Sequence, residues 1–517
     1  MWQRFSREDI LTVTHYLGVL TIYMSLTLLI PIILGLCFLE TSVSARYLTW
    51  MGAGFVVGNL LRLVKRNPKS LTRRQALALT GISWVVLSLF AAFPLYFSGH
   101  FERFLDAYFD CVSGLTTTGA SLILDVDHLS VADNCFRFIL HYVGGMGLIV
   151  VALSLGLFGR RITTSLYNSE ARNDHVVPNI VHTTQFIARV STGIISVGTV
   201  VLAIIFVSLG LEPVRAFLNG LMFAISAFMT GGFSPVSNSV VPFHSALLEL
   251  ALVLIMLLGA TNFLLYKDVC RGKIASYFKD IETHTMFVWF VIMALVLACT
   301  LAETKLFNDL PLMVGHGLFT LVSAATTSGF QDISSNQLLY ALSNGVLLVI
   351  ALLMIVGGSA GSTAGGIKFL RLGVIVQGIK LSLKQALSPE SAQVSVSYFH
   401  CAKRSVQSPL LLEALSVFAL MMIAWALGTL AAIAHGYDAV AAIFESASMA
   451  GNAGLSAGII APHMPVELEI FYIIQMWAGR LEFVALLALM VEFALSCTIF
   501  SKRKMNNNLN KSHVFGK

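Results

Sequence analysis

Ten long apolar stretches run through this chain, most of them separated by short polar connections. A helix that crosses a bilayer needs about 20 apolar residues, so these stretches predict an all-α polytopic membrane protein. Only 12% of the 517 residues are charged, against about 25% in soluble domains, which excludes a soluble globular protein. The predicted spans are residues 16–39, 47–64, 75–97, 136–158, 186–210, 246–266, 285–302, 338–380 with an interruption, 409–435 and 468–500.

Basic residues alternate between the two sides of the predicted membrane. The segment before the first span and every second connection hold 27 of the 33 lysine and arginine residues. By the positive-inside rule these segments are cytoplasmic, which predicts a protein of the cytoplasmic (inner) membrane. An even number of spans places both termini in the cytoplasm. The opposite connections are rich in acids, which are either a cation-attracting vestibule or ordinary solvated loop charges. The basic excess therefore implies no nucleic-acid partner.

Four predicted external connections share one pattern, a serine six residues before a glycine. The four glycines are 113, 97 and 125 residues apart, so each unit is long enough for two spans and a re-entrant segment. The serine–glycine pairs are Ser113 and Gly119, Ser226 and Gly232, Ser323 and Gly329, and Ser448 and Gly454. Close packing of small residues would explain any one of them, but four in register favour an internal repeat.

A moderately apolar stretch precedes each of these glycines, at residues 101–115, 212–229, 310–325 and 437–450. None can cross a hydrocarbon core of about 30 Å at 1.5 Å per residue. Each stretch therefore predicts a half-helix that enters from outside and stops near mid-depth. The polar residues after each glycine would return to the outer surface, and irregular backbone at that depth must line a water-filled path or be buried in protein.

The predicted half-helices would point their partially negative C-terminal ends inward, which favours a cation between them. The three residues that end at each glycine, called the filter triplets below, could then offer carbonyl oxygens in place of water. Glycine permits the backbone dihedrals that such a ring needs, and no triplet contains a carboxylate, which favours a monovalent alkali cation. The predicted ion-binding residues are Thr117, Thr118, Gly119, Thr230, Gly231, Gly232, Thr327, Ser328, Gly329, Asn452, Ala453 and Gly454.

The motifs at 116–121, 230–235, 326–331, 357–368 and 479–482 together resemble the Trk/Ktr/HKT superfamily of potassium transporters, and are closest to its TrkH-type bacterial subunits. The resemblance covers about residues 75–500 and the two leading spans. It implies four helix–re-entrant pore loop–helix units around one pore, K⁺ as the transported ion without an organic cofactor, and a homodimer. It also implies a cytoplasmic nucleotide-binding regulatory subunit like TrkA or KtrA, for which the basic connection 368–404 is a docking candidate.

The repeat and the resemblance together predict a division of the chain into units. Two leading helices occupy residues 1–70, and pore units 1 to 4 occupy residues 71–170, 171–280, 281–395 and 396–505, followed by a cytoplasmic tail at 506–517. Two positions depart from the family pattern: Gly231 stands where alanine is frequent, and Leu455 follows Gly454 where glycine or proline is expected soon after. In plant-type members a serine at the position of Gly119 accompanies sodium transport, so the glycine here favours potassium.

The glycine-rich segment 357–366 interrupts the predicted span 338–380, because five glycines in ten residues do not sustain a helix. It is not a nucleotide-binding loop, since no Gly-Lys-Ser/Thr follows it. The resemblance implies a gate beneath the filter; a static kink is the alternative. Arg480 is a costly intramembrane charge, which the resemblance places near the pore. The predicted gating residues are Gly357, Gly358, Gly361, Gly365, Gly366, Lys368 and Arg480.

Two other classes of protein compete with a potassium pore. A sodium- or proton-coupled secondary transporter of a cation or small solute predicts matching broken helices in two inverted halves. An enzyme would need paired acids, a Ser/His set or metal ligands at depth, and the sequence displays none in a recognisable motif, so no catalytic residue is predicted. Cys111 and Cys135 share the predicted outer side, but no disulfide is expected between them.

Overall fold

A computed structural model describes residues 6–64, 71–147 without 124, 180–302 without 271 and 273, 310–389, 391–400, 402–481, 483 and 486. The helices of the first half are α1 (Arg7–Thr27), α2 (Leu29–Cys37), α3 (Thr41–Arg62), α4 (Arg73–Tyr96), α5 (Phe104–Leu115), α6 (Val131–Met146), α7 (Ile180–Ser208), α8 (Pro213–Phe228), α9 (Ala246–Gly259), α10 (Phe263–Cys270) and α11 (Ile274–Lys279). Those of the second half are α12 (Ile281–Ala302), α13 (Leu310–Ala325), α14 (Ser335–Tyr340), α15 (Asn344–Ile355), α16 (Phe369–Leu387), α17 (Ser408–Ala434), α18 (Ala439–Gly451) and α19 (Val466–Arg480).

Five helical segments of the described residues are long and apolar enough to cross a membrane, and five shorter helices are also apolar. The long segments are Arg7–Cys37, Arg74–Tyr96, Thr184–Ser208, Ile281–Ala302 and Ser408–Ala434. Their outward faces carry large apolar side chains such as Ile204, Phe287 and Leu430. Parts of two predicted spans, residues 148–158 and 487–500, lie outside the described residues.

Two predicted spans contain a break in the helix, and the first of them still forms one segment long enough to cross a membrane. The first apolar stretch forms α1 and α2, which meet at Leu28, because Pro31 has no N–H to donate to the carbonyl of Thr27. The stretch 246–266 forms α9 and α10, separated at residues 260–262. There the carbonyl oxygen of Ala260 accepts from the backbone N–H of Ser359, 2.9 Å away, so a distant segment takes the place of the next helical turn.

Four half-length helices, α5, α8, α13 and α18, occupy the four predicted half-helix stretches. They contain 12 to 16 residues, which corresponds to about 18–24 Å. Each packs between the long helix that precedes it and a helix that follows it in the chain: α4 and α6, α7 and α9, α12 and α15, and α17 and α19. The outer helices thus hold the four half-helices in place.

The predicted interruption of the long glycine-rich span is confirmed. Helix α15 ends at Ile355, helix α16 begins at Phe369, and residues 356–368, called the inner loop below, are not helical. The inner loop folds back on its own start, since the N–H of Gly357 donates to the carbonyl oxygen of Ile367 at 3.1 Å and the N–H of Ile367 donates to that of Ile355 at 2.8 Å. Its two ends therefore lie side by side between the two helices.

A short β-hairpin, which the sequence analysis did not predict, lies in the connection between α16 and α17. Its strands β1 (Ser397–His400) and β2 (Ala402–Ser405) pair antiparallel, with Ser397 opposite Ser405. Strand β1 contacts α12, and its residues Tyr398 and His400 are buried. The hairpin thus ties this basic connection to the start of α12.

Candidate functional site

The four half-helices end in the same hydrogen-bonded turn. In each, the N–H of the middle residue of the filter triplet donates to the carbonyl oxygen of the repeated serine five residues earlier, which closes a Schellman-type helix end. The bonds run from Thr118 to Ser113 at 2.8 Å, from Gly231 to Ser226 at 2.8 Å, from Ser328 to Ser323 at 2.9 Å and from Ala453 to Ser448 at 2.9 Å. The spacing read from the sequence therefore corresponds to one repeated backbone geometry.

The first residue of each triplet has a positive φ although it carries a side chain. The φ angles are 54° at Thr117, 50° at Thr230, 52° at Thr327 and 54° at Asn452. A β-branched residue in this region is a conformational outlier, and such strain collects at functional sites. The filter glycines Gly119, Gly232, Gly329 and Gly454 follow at φ angles between 75° and 88°. All four triplets thus have the same backbone conformation at their first and last residues.

The four triplets meet in a closed ring. A Cβ atom built on each filter glycine would lie closer than 3.0 Å to a carbonyl oxygen of the middle residue in the next triplet. The neighbours are Gly231 for Gly119, Ser328 for Gly232, Ala453 for Gly329 and Thr118 for Gly454. The structure thus brings together all twelve residues that the sequence analysis proposed for ion binding, in the order in which they occur along the chain.

The inner loop lies against the ring. The hydroxyl groups of Thr230 and Thr363 are 3.3 Å apart, and the N–H of Gly365 donates to the hydroxyl oxygen of Thr327 at 2.7 Å. A Cβ atom on Gly365 would also come within 2.9 Å of the Asn452 side chain. The loop therefore contacts the first residues of three of the four triplets.

Two cationic side chains hold the inner loop. Arg480 donates to the carbonyl oxygen of Thr363 at 2.8 Å and to that of Gly144, near the end of α6, at 2.7 Å. The ammonium group of Lys368 donates to the carbonyl oxygen of Ala364. Glu482, two positions after Arg480, lies outside the described residues. Both predicted gating cations thus contact the loop itself.

Sequence reasoning missed two buried acids behind the ring. Asp110 and Glu445 each lie nine residues before a filter glycine. Each accepts a hydrogen bond at 2.6 Å from the serine that lies two residues after that glycine, Ser121 for Asp110 and Ser456 for Glu445. Glu445 also accepts from backbone N–H groups of the returning segment, among them that of Ala457 at 2.8 Å. The repeated spacing of acid and serine was a detectable signal. These acids fix the chain where it leaves the ring.

Arg137 and His141 of α6 complete the support of the second triplet. Arg137 is buried, pairs with Asp110 at 3.1 Å and lies 4.0 Å above the ring of Phe233. The ring of His141 also stacks on that of Phe233, with 4.3 Å between the two ring centroids. A Cβ atom on Gly231 would come closer than 3.0 Å to the His141 ring. The glycine at this position therefore makes room for the buried histidine.

Gly231→Ala is expected to lower the melting temperature and the transport rate, because the added methyl group collides with His141. Adding His141→Ala should restore a measurable part of both losses, since it removes the colliding ring. Thermal unfolding and flux are measured for the two single variants and the double variant. Gly315→Ala, which places a methyl group in open space, is the control. If the melting temperature and the transport rate fall equally in Gly231→Ala and in the double variant, the added methyl group does not act through a collision with His141.

The remaining candidates have ordinary surroundings. Cys111 and Cys135 are both buried free cysteines. Two histidines have protein partners: His316 contacts Asp332 at 2.8 Å, and His435 contacts the carbonyl oxygen of Ala431 at 2.8 Å. These partners account for the two side chains without a ligand.

The apolar helices and the ring of four helix ends define a multi-pass membrane protein of the cation-transporter class. The TrkH family of cation transport proteins matches residues 51–497, and the chain belongs to this family. It is accordingly a transporter of the Trk potassium transporter family and not an enzyme. The resemblance recognised from the motifs is thereby confirmed.

Relatives cover nearly the whole chain. An uncharacterized cation transporter of Methanocaldococcus jannaschii is 28% identical over 94% of this chain and 96% of its own length. The Trk system potassium uptake protein TrkH of Escherichia coli K12 is 29% identical over 92% of this chain and 97% of its own length. The crystal structure of the potassium transporter TrkH from Vibrio parahaemolyticus matches with a TM-score of 0.78 and 24% identity over 93% and 98% of the two chains, which shows the shared fold.

Proposed function

We propose that the chain takes up potassium ions across the cytoplasmic membrane through one selective pore, with the four filter triplets as its filter. The observation that carries this proposal is the closed ring, in which four triplets with the same positive-φ pattern meet at the ends of four half-helices. The partially negative helix ends favour a cation at this point. Potassium uptake is also the activity for which the Escherichia coli relative is named.

The residue types of the triplets support an alkali cation. None of the twelve residues carries a carboxylate, so the available ligands are carbonyl oxygens and hydroxyl groups, which suit a weakly hydrated monovalent ion. One carboxylate oxygen of Asp110 and one of Glu445 accept hydrogen bonds from serine hydroxyls behind the ring. They stiffen the filter rather than bind the ion.

We propose that the inner loop is the gate. It contacts Thr230 and Thr327 of the ring, and Arg480 fastens it to the carbonyl oxygen of Gly144. A fixed arginine charge beside the conduction path also raises the barrier for cations. Release of the loop from these contacts would open the path, and glycines such as Gly358, Gly361 and Gly366, all at positive φ, permit its rearrangement.

The wider architecture follows from the same proposal. Four pore units at about residues 71–170, 171–280, 281–395 and 396–505 would surround one pore, with the two leading helices outside and both termini in the cytoplasm. A homodimer and a nucleotide-binding regulatory subunit like TrkA or KtrA are the partners that the family resemblance implies. The basic connection with the β-hairpin is the docking surface proposed for that subunit.

Cation flux into proteoliposomes that contain this chain alone tests the proposed function. Gradients of potassium, rubidium and sodium are compared at a clamped membrane potential. We expect potassium and rubidium to move down their own gradients, with little sodium flux. Flux that requires a sodium or proton gradient would instead establish coupled secondary transport, and the inner loop would then belong to an alternating-access cycle.

A further inference from the structure

Three metal-ligating side chains meet at the start of α12, away from the ring. Asp280, Glu282 and His400 are each at most 1% exposed, and one potential ligand atom from each lies within 4.8 Å of the others. The Nδ1 atom of His400 is 3.1 Å from the nearer carboxylate oxygen of Asp280. Such a combination of two carboxylates and an imidazole is uncommon in a buried location, because burial of charge is costly.

Backbone contacts help to place these three side chains. Asp280 precedes α12, and one of its carboxylate oxygens accepts from the backbone N–H of Glu282 at 2.9 Å, which orients the Asp280 side chain at the helix start. His400 is the last residue of β1, and its burial follows from the contact of the hairpin with α12. The cluster thus joins residues 120 positions apart, which is why the sequence motifs did not reveal it.

We propose that Asp280, Glu282 and His400 bind one divalent transition-metal ion. The ligands of a tetrahedral zinc ion lie about 3.3 Å apart when metal–ligand distances are about 2.0–2.1 Å, close to the observed separation of His400 and Asp280. Ca²⁺ and Mg²⁺ prefer oxygen ligands alone, whereas an imidazole favours Zn²⁺, Cu²⁺, Fe²⁺ or Ni²⁺. A divalent cation would also offset the negative charge of two buried carboxylates.

Glu282 connects this metal site to the inner loop. One of its carboxylate oxygens accepts from the backbone N–H of Ala360 at 2.7 Å, and the other accepts from the side-chain amide of Asn262 at 3.0 Å. Ligand orientation commonly depends on such outer contacts, and a change at the metal changes them. Metal occupancy would therefore stabilise the position of the loop and couple it to the hairpin. This consequence rests on the proposed gating function; metal binding itself does not.

Titration of the purified full-length chain with metal alone tests the binding site. The chain is reconstituted in nanodiscs, stripped with a chelator and titrated with ZnCl₂ and MnCl₂, followed by elemental analysis. We expect one ion per chain for the wild type and at least about a tenfold weaker affinity for His400→Gln and Asp280→Asn. His284→Gln, an exposed histidine on the same helix, should bind like the wild type.

Cobalt spectroscopy keeps this test decisive if a variant fails to fold. Co²⁺ bound by the wild-type chain should show the strong visible absorption of a tetrahedral nitrogen and oxygen site, displaced by Zn²⁺. A wild-type chain that binds no ion, or that binds it equally after His400→Gln in a monodisperse sample, would overturn the metal site.

Potassium flux in the same vesicles tests the coupling to the loop. We expect removal of the metal to raise the basal flux of the wild type several-fold. In Glu282→Gln, which lacks the charge of one ligand carboxylate, the flux should be the same with and without the metal. Unchanged wild-type flux would overturn the coupling. An absence of potassium flux in every condition would count against the proposed function, whereas the binding measurement would stand by itself.

Discussion

Replacing Gly232 with serine is expected to reduce the preference for potassium over sodium by about tenfold or more, equal to ~1.4 kcal/mol. A Cβ atom at this position would lie 2.8 Å from the carbonyl oxygen of Ser328 and 3.2 Å from the Cα atom of Gly329, so the next triplet must shift by a few tenths of an ångström. Gly232 has a φ of 80°, at which a side chain costs about 1–3 kcal/mol. Gly329→Ser should act in the same direction.

Permeability ratios measured under a clamped potential, together with a melting curve, test this expectation. Gly436→Ser is the matched control, because Gly436 has a φ of 86° and nothing within 4 Å of its added Cβ atom. It should cost similar backbone strain and leave selectivity unchanged. An unaltered potassium-to-sodium permeability ratio in a folded Gly232→Ser variant would contradict the proposal that the ring is the selectivity filter.

Deletion of residues 361–365 is expected to raise basal flux about tenfold to a hundredfold. The deletion removes Thr363, which hydrogen-bonds to the carbonyl oxygens of Phe228 and Gly259, both at 2.9 Å, and accepts from Arg480. Hydrogen bonds to charged groups contribute about 1.5–3 kcal/mol each, so the loss of one such bond alone shifts a two-state equilibrium by this factor.

Arg480→Gln should raise basal flux in the same direction without shortening the chain. It removes the charge that joins Thr363 of the loop to Gly144 of α6. Lys384→Gln, which neutralises an exposed cation further along α16, is the control and should leave flux unchanged. If both the deletion variant and Arg480→Gln show the basal flux of the wild type, the inner loop is not the gate and has a structural role alone.

The sequence predicted the features that depend on neighbouring residues. The four half-length helices and the break between Ile355 and Phe369 were visible because apolar length and glycine content act locally. The repeated serine marked the helix ends, since its carbonyl oxygen closes the same turn in all four units. Local signals therefore sufficed to identify the residues of the candidate filter.

Features that depend on distant parts of the chain could not be predicted in this way. The need for glycine at position 231 comes from His141, on another helix, which occupies the space that an alanine methyl group would need. No local pattern around Arg137 indicates that its side chain is buried against Asp110, which belongs to another helix. The split of α9 from α10 likewise depends on the inner loop, about a hundred residues away in the sequence.

A ring formed from four segments of one polypeptide can be altered one quarter at a time. In a channel of four identical subunits every substitution enters the filter four times, whereas here Gly119 and Gly454 can be changed separately. The four filter triplets already differ from one another. The side-chain amide of Asn452 donates to the hydroxyl oxygen of Thr118 at 2.9 Å, a contact that a symmetric ring of threonines would lack. Variants of this one chain can thus form a graded series in which one, two, three or four positions of the proposed filter are altered.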